Sequence, residues 1–341
     1  MKAPLVVYHK NCFDGFTAAW VFRNLKGQDR MFQGHEVEYF PALHGDIENL
    51  PDTRGRHVWF LDFTYPREIM MDLIVASKFA TVYDHHKSAL EALESVIFDI
   101  REERGVLRTN DKIVFDMKRS GAGITFDELE RERGLKHGGI KPRFNGQRSV
   151  WLVDYVEDRD IWKHELPDTK EVSAYLATVP MTFENWDDVE KMGFEDVAQS
   201  GSSILKYINQ YGDIAIDTAK VEQMGPYRVP TINIPVPNNS DHINLLARLN
   251  PDAEFAAGYF RSSDGKWHFS LRSIGDFDVS AVAKMYGGGG HKNASGFEVD
   301  KLPWDKSVPV YEVSTKEEID ELANNGSLSK PEGIVRIVDP S

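Results

Sequence analysis

Through the first third of the chain, short apolar runs rich in β-formers alternate with amphipathic stretches, the pattern of βαβ units wrapped around a parallel sheet. Five strands are predicted: Leu5 to His9, Glu36 to Pro41, His57 to Asp62, Phe79 to Tyr83 and Lys112 to Met117. Most are continuous apolar runs ended by Gly, Pro or charge, as expected of strands buried on both faces. A helix fits Asp14 to Leu25, where Phe16, Ala19, Trp20 and Phe22 fall near one face, and Pro66 suits the first turn of another. Apolar residues recur at helical spacing from Ala122 to Glu132 and from about Arg148 to Ile161, as in helices that pack on the sheet and complete a first domain.

A length of 341 residues is more than one hydrophobic core usually supports, so two domains are expected. Gly225-Pro226 through Asn239 is rich in proline and turn formers and reads as a linker or an edge strand leading into one. The expected division is 1–224, a linker at 225–240, a smaller α/β domain at 241–300, and a tail at 301–341 without readable chemistry. The second domain would hold helices at Asn244 to Leu249 and Val279 to Tyr286, and strands around Glu254 to Phe260 and Trp267 to Arg272. The fold class is therefore α/β. Cys12 is the single cysteine, which excludes an internal disulfide, and Met1-Lys2-Ala3-Pro4 leads into a strand rather than an apolar signal segment. A cytoplasmic location is expected. No apolar run approaches the roughly 20 residues that cross a bilayer.

Three of the predicted strands end in potential metal ligands: His9 followed by Asp14, then Asp62, then Asp84-His85-His86. An aspartate at a strand end is ordinarily a turn former or helix cap, and paired histidines are ordinarily surface or core residues. The carboxyl ends of parallel strands, however, line one crevice, so residues far apart in sequence can converge there. Mixed oxygen and nitrogen ligands suit Mn²⁺ and other first-row ions, and two close ions can clamp attacking and leaving oxygens.

These residues resemble the DHH phosphoesterase family, whose Asp-His-His motif matches Asp84-His85-His86. His9-Lys10-Asn11-Cys12-Phe13-Asp14-Gly15 matches the first motif, Asp62 in Leu-Asp-Phe-Thr the second, and Ser120-Gly121-Ala122 precedes a later helix. Gly287-Gly288-Gly289-Gly290-His291-Lys292-Asn293-Ala294-Ser295-Gly296 resembles the signature of the DHH-associated C-terminal domain. The resemblance implies a parallel-sheet N-terminal DHH domain, a smaller α/β C-terminal DHH-associated domain, and two Mn²⁺ ions, with Mg²⁺ or Co²⁺ as substitutes. It implies His9, Asp14, Asp62, His85 and a later Asp as ligands, with Asp62 bridging. That later residue is expected to be Asp158, with Asp154 and Asp160 as competitors. Asp84 would orient His85 or join the site, and His86 would assist the transferred phosphoryl group. The family's first motif often carries two acids, whereas Cys12 or Asn11 stands in the first acidic place here. A lone cysteine usually packs as a small buried hydrophobe, although its thiolate can ligate a metal.

Glycines let backbone amides approach phosphate oxygens, so Gly288, Gly289, Gly290, His291, Asn293 and Ser295 are candidate phosphate-binding residues, with Arg272 from the neighbouring strand. The formal charge is −14, from 40 basic and 54 acidic residues, which disfavours long polyanions. The expected activity is hydrolysis of short single-stranded oligonucleotides, as in nanoRNases and exonucleases of the family, by metal-activated water. Cyclic-dinucleotide phosphodiesterase or exopolyphosphatase-like activity is the alternative. A catalytically impaired nucleotide-binding protein is the alternative of another class. A homodimer is compatible with the sequence. Trp20 and Trp59 read as core, and Trp162 is the remaining candidate for stacking a base.

Overall fold

In the computed structural model, which describes residues 2–27, 32, 34–87, 89–91, 93, 111–137, 150–235, 239–305, 310–313 and 334–337, the chain forms two compact units, Met1–Leu205 and Lys206–Ser341. The five strands of the first unit are β1 (Leu5–His9), β2 (Glu38–Ala42), β3 (His57–Leu61), β4 (Phe79–Asp84) and β5 (Lys112–Phe115). All pair in parallel, in the order β2-β1-β3-β4-β5. Successive side chains point to opposite faces, so the apolar runs supply two cores at once. Val6, Trp59, Leu61 and Tyr83 pack on one face with α1 (Phe13–Leu25), α3 (Gly121–His137) and α4 (Trp151–Asp160). Leu5, Val7, Val58, Phe60 and Val82 pack on the other with α2 (Arg67–Ala76).

The register of this sheet positions the site. Tyr8 pairs with Leu61, and Leu61 with Tyr83, so the next residues, His9, Asp62 and Asp84, stand one step beyond a common row. With chain order running outward in both directions from β1, the β1/β3 junction is a topological switch point, where parallel sheets open a crevice. His9 and Asp62 flank it.

Three helices that the sequence pattern did not reveal follow: α5 (Thr169–Leu176), α6 (Phe183–Met192) and α7 (Phe194–Asp217). Thr182 caps α6 by accepting from the Asn185 amide. The helix drives the fully buried Trp186 between Phe13 and Phe16, where its Nε1–H donates to Thr17 Oγ1 at 3.0 Å. Trp20 and Trp59 lie in the same core, as expected. The expected helix start at Arg148 lies outside the described residues, which resume at Val150.

The second unit holds a six-stranded sheet of β6 (Lys220–Met224), β7 (Tyr227–Asn233), β8 (Phe255–Arg261), β9 (Trp267–Ser273), β10 (Gly289–His291) and β11 (Ala294–Val299), in the order β10-β11-β9-β8-β7-β6. Only β7 and β8 pair in parallel. The segment expected as a linker differs from its reading. Gly225 turns the β6–β7 hairpin, and Tyr227–Asn233 is an interior strand. Pro230 is tolerated because β8 pairs only with Thr231, Ile232 and Asn233, so no ladder bond from β8 needs the missing N–H. Val236 to Asn238 lie outside the described residues, and Asn239 opens α8 (Asn239–Leu249). A core of Phe255, Phe269, Leu271 and Phe297 lies under α9 (Val279–Met285), with Trp304 from the start of the tail packed against it. Farther along the tail, β12 (Val310–Val313) and β13 (Ile334–Ile337) pair in parallel, and residues 306–309, 314–333 and 338–341 lie outside the described residues. Among the described residues no helix is long and apolar enough to cross a membrane.

Trp186 fills a buried slot and satisfies a buried hydroxyl at once. Trp186→Ala is therefore expected to cost about 3–5 kcal/mol, read as a lower urea midpoint at unchanged slope.

Candidate metal centre

At the carboxyl edge of the first sheet, Asp62 follows β3 with a φ of 57°, the left-handed region that aspartate tolerates better than most residues and that costs energy to hold. This turn keeps its carboxylate buried at the crevice. Gly121 makes room for it, since a Cβ there would stand 2.5 Å from Asp62 Cβ. Asp62 Oδ2 lies 3.6 Å from His9 Nδ1 and 3.6 Å from Cys12 Sγ. Asp62 Oδ1 lies 3.1 Å from His85 Nε2. That nitrogen also approaches Asp160 Oδ2 at 3.4 Å and Asp14 Oδ2 at 3.6 Å.

Asp14 is held by the N-terminus of α3. The amides of Gly121 and Ala122 donate to its two oxygens at 2.5 and 2.9 Å, so helix dipole and hydrogen bonds both favour its charge. Arg119 fastens this helix start by donating to Glu157 at 2.9 Å and to Asp127 at 2.5 Å. Ser120 N–H adds a bond to Glu157. The Ser120-Gly121-Ala122 motif thus serves Asp14 and Asp62 together, a role that its distance in sequence from both residues conceals.

Asp84 is saturated. Its Oδ1 accepts from the amides of His85 and His86 and from His86 Nδ1 at 2.8 Å, and its Oδ2 accepts from Thr64 Oγ1 at 2.6 Å. It therefore orients His86 by accepting its Nδ1 proton, leaving Nε2 turned away from Asp84.

The late aspartates separate cleanly. Asp158, the expected ligand, accepts from Glu165 N–H at 2.9 Å, Leu166 N–H at 3.3 Å and Thr169 Oγ1 at 2.5 Å, closing the turn after α4. Asp154 sits near Glu190, whose pKa it helps to raise. At 100° per residue, positions 154 and 158 share one helix face while 160 lies on another, and only the face carrying Asp160 meets His85. Asp160, not the expected Asp158, is the late aspartate that lies beside His85.

Burial, followed by repulsion from Asp62 and Asp160, pushes Asp14 well above the usual carboxylate range, and burial likewise raises Asp160. Burial opposes the charge on Asp62 too, but the adjacent His85 and His9 hold it well below normal. His85 is pulled down by burial and raised more strongly by Asp62, Asp160 and Asp14, to about 11. Burial and the same three acids push the Cys12 thiol up.

The donor set fits divalent cations. His9 Nδ1, Asp62 Oδ1 and Asp160 Oδ2 are buried without a well-formed hydrogen bond, although each faces another ligand atom at 3.1–3.6 Å. Such atoms face a common point rather than one another. Two groups, His9 with Cys12 and Asp62, and Asp14 with Asp62 and His85, each bring their ligand atoms within 4.8 Å. Asp62 belongs to both, and to a third group with Asp84 and His86. Cys12 stands half-buried at this edge rather than in the core.

One residue beside the site carried no sequence signal. His44, two positions past β2, stacks on Phe63 with ring centroids 4.5 Å apart and meets His9 edge-on at 5.1 Å. Surrounding protein, with the His9 and His86 imidazoles, holds its pKa down to about 4, so the ring is neutral at pH 7. Trp162 has the Arg159 guanidinium 4.9 Å over its ring.

Within the second unit, the glycine-rich segment forms the β10–β11 hairpin. Gly288 lies where a Cβ would stand 2.1 Å from Gly296 O, and Gly290 has a φ of 137°, so these two glycines answer to packing and turn geometry. Asn293 Nδ2 donates to Ser273 Oγ and Gly275 O, and Ser295 Oγ donates to His291 O. Arg272 donates to Leu271 O and to Ser240 Oγ at the start of α8. Gly289 alone among the three has open space where a side chain would go.

Comparison with known proteins matches residues 244–324 to the DHHA1 domain. Residues 244–324 thus resemble a DHHA1 domain. The chain is 27% identical over 347 residues to the uncharacterized protein R106 of Acanthamoeba polyphaga mimivirus, covering 94% of this chain and 75% of that one. A segment of 83 residues is 36% identical to a 3',5'-cyclic-nucleotide phosphodiesterase of Helicobacter pylori, covering 24% of this chain and 22% of that one. Among solved structures, a pGpG-specific phosphodiesterase from Vibrio aligns with a TM-score of 0.44 at 13% identity, over 96% of this chain and 98% of that one.

The two late aspartates give a direct test. Asp160→Asn is expected to weaken Mn²⁺ binding by about tenfold or more with little change in stability. Asp158→Asn is expected to cost about 1–3 kcal/mol of stability with metal affinity retained. Calorimetric Mn²⁺ titration and urea unfolding of both variants check this.

Proposed function

We propose that the chain is a Mn²⁺-dependent phosphodiesterase acting in the cytoplasm on short single-stranded oligonucleotides. The observation that carries this reading is the buried Asp62 carboxylate shared by three ligand groups at the carboxyl edge of the parallel sheet. His9, Cys12 and Asp62 would hold one ion, and Asp14, Asp62, His85 and Asp160 the other. When bound, such a pair supplies Lewis-acid stabilisation of phosphoryl oxygens and lowers the pKa of a water.

The chain's own groups divide the remaining work. Asp14, tied to the α3 amides, and Asp62, held by its left-handed turn, keep the ligand oxygens in place without reorganisation. Asp84 fixes the ring of His86, whose Nε2 would contact the transferred phosphoryl group. In the reaction, a water oxygen forms the new bond to phosphorus, the bond to the leaving ribose oxygen breaks, and that oxygen takes up a proton. Arg272 and His291 of the second unit would bind a phosphate group. The net charge of −14 supports short substrates over long tracks. A second reading, hydrolysis of a cyclic nucleotide or cyclic dinucleotide, draws on the cyclic-nucleotide phosphodiesterase matched over 83 residues.

Turnover of a labelled dinucleotide, a 20-residue single strand, a cyclic dinucleotide and polyphosphate, each with Mn²⁺ or with excess chelator, is the test. Chelation is expected to abolish activity and Mn²⁺ to restore it. The dinucleotide is expected to lead the long strand by about tenfold in kcat/KM, roughly 1.4 kcal/mol of transition-state binding. Processive degradation of the long strand, or full activity in chelator, refutes the reading.

A further inference from the structure

Three imidazoles converge at the mouth of the candidate metal centre, and the ligand groups use only some of them. His9 and His86 belong to the strand ends. His44 arrives on the loop after β2, where Ala42 pairs with His9, so two further residues of chain carry it above the ligand row. The residue is exposed, unlike the buried His85 and Asp62, and its ring takes no part in any of the three groups that share Asp62. One face lies on the fully buried Phe63, and the edge of the ring meets His9 at 5.1 Å and His86 at 6.5 Å, both T-shaped. Phe63 directly follows Asp62, so the residue that bears the shared carboxylate also sets the height of the His44 platform.

This is a poor arrangement for stability alone, since an exposed polar ring on a surface loop gains little from being held beside other histidines. It is a good one for meeting a ligand that comes to the ions from solvent. The metal bed is built from carboxylates, which repel a phosphate ester, and the approaching non-bridging oxygens need donors that are not themselves ligands. We propose that His44 is a substrate-binding residue that donates a ring N–H to a non-bridging oxygen of the phosphate group held at the metal centre. The assignment rests on the phosphodiesterase reading above. Phe63 and His9 fix the ring plane, so the donor is aimed before substrate arrives and little side-chain freedom is lost on binding.

Two substitutions separate the chemistry of the donor from the shape of the ring. His44→Phe keeps an aromatic ring on Phe63 and removes the N–H; His44→Gln removes the ring and keeps an N–H donor. The probes are Mn²⁺ alone, then adenosine 5'-monophosphate and adenosine titrated calorimetrically into the Mn²⁺-loaded full chain, with dinucleotide turnover alongside. Mn²⁺ is expected to bind all three proteins alike. His44→Phe is expected to lose about tenfold or more in affinity for adenosine 5'-monophosphate, the cost of a charge-assisted hydrogen bond, whereas His44→Gln keeps most of it. Adenosine should not distinguish the variants. Equal binding of the monophosphate by His44→Phe and an active wild type overturns the assignment and leaves the phosphodiesterase reading standing. Loss of adenosine binding in His44→Gln makes the ring a base platform instead, and loss of Mn²⁺ in either variant makes His44 a ligand. A wild-type protein that takes up Mn²⁺ yet neither binds the monophosphate nor cleaves dinucleotide removes the parent reading, and His44 with it.

Discussion

In-register parallel pairing of β1, β3 and β4 is the constraint on which the site depends. Because Tyr8, Leu61 and Tyr83 share one row, the residues that follow them leave the sheet at the same height. A slip of one residue in any strand would send its core side chains to the wrong face, so the hydrophobic packing of both faces enforces the alignment of the ligands. The site is therefore a by-product of core packing, and it needs no interaction among the charged groups to assemble. That matters because those groups repel: Asp14, Asp62 and Asp160 crowd around a single imidazole nitrogen of His85.

The surrounding structure meets that repulsion selectively. Acids that position other groups have their oxygens filled with protein donors, as Asp84 does with Thr64, His86 and two amides, and as Asp158 does with Glu165, Leu166 and Thr169. Asp62 and Asp160 instead keep buried oxygens without a well-formed hydrogen bond. Leaving such groups uncompensated costs more than any surface ion pair returns, so native chains retain them where a ligand supplies the compensation. Degree of hydrogen-bond saturation thus separates Asp84 and Asp158 from Asp62 more sharply than exposure does, since all three are buried. Asp14 is intermediate: amides of α3 hold it, yet carboxylate oxygens have lone pairs enough for a second partner.

In the second unit the same accounting moves emphasis away from side chains that look like phosphate donors. Asn293 spends its amide donor on Ser273 and Gly275, Ser295 spends its hydroxyl inside the hairpin, and Lys292 pairs with Asp276 at 2.8 Å. Two of the glycines serve close backbone packing and a positive φ. A glycine-rich signature can therefore be specific because it builds a tight hairpin.

Sequence alone determined the parallel sheet, its five strands and the residues at their ends, because double-sided burial demands apolar runs and a ligand after a strand needs no knowledge of what lies beside it. The family resemblance singled out Cys12, Ser120-Gly121-Ala122 and the glycine run. Tertiary structure decided the rest. Asp154, Asp158 and Asp160 are equivalent in a linear reading of Val156-Glu157-Asp158-Arg159-Asp160 and its approach, and only the docking of α4 on the sheet chooses the face that meets His85. The proline-rich stretch became strand β7 because β8 spares the Pro230 position, a matter of pairing between distant segments. His44 was invisible for the same reason: a histidine in a loop has no period, and its meaning comes from Phe63, His9 and His86, which the fold brings to it. Local periodicity encodes which face of an element is buried, whereas the partner that satisfies a polar group is a property of contacts between elements.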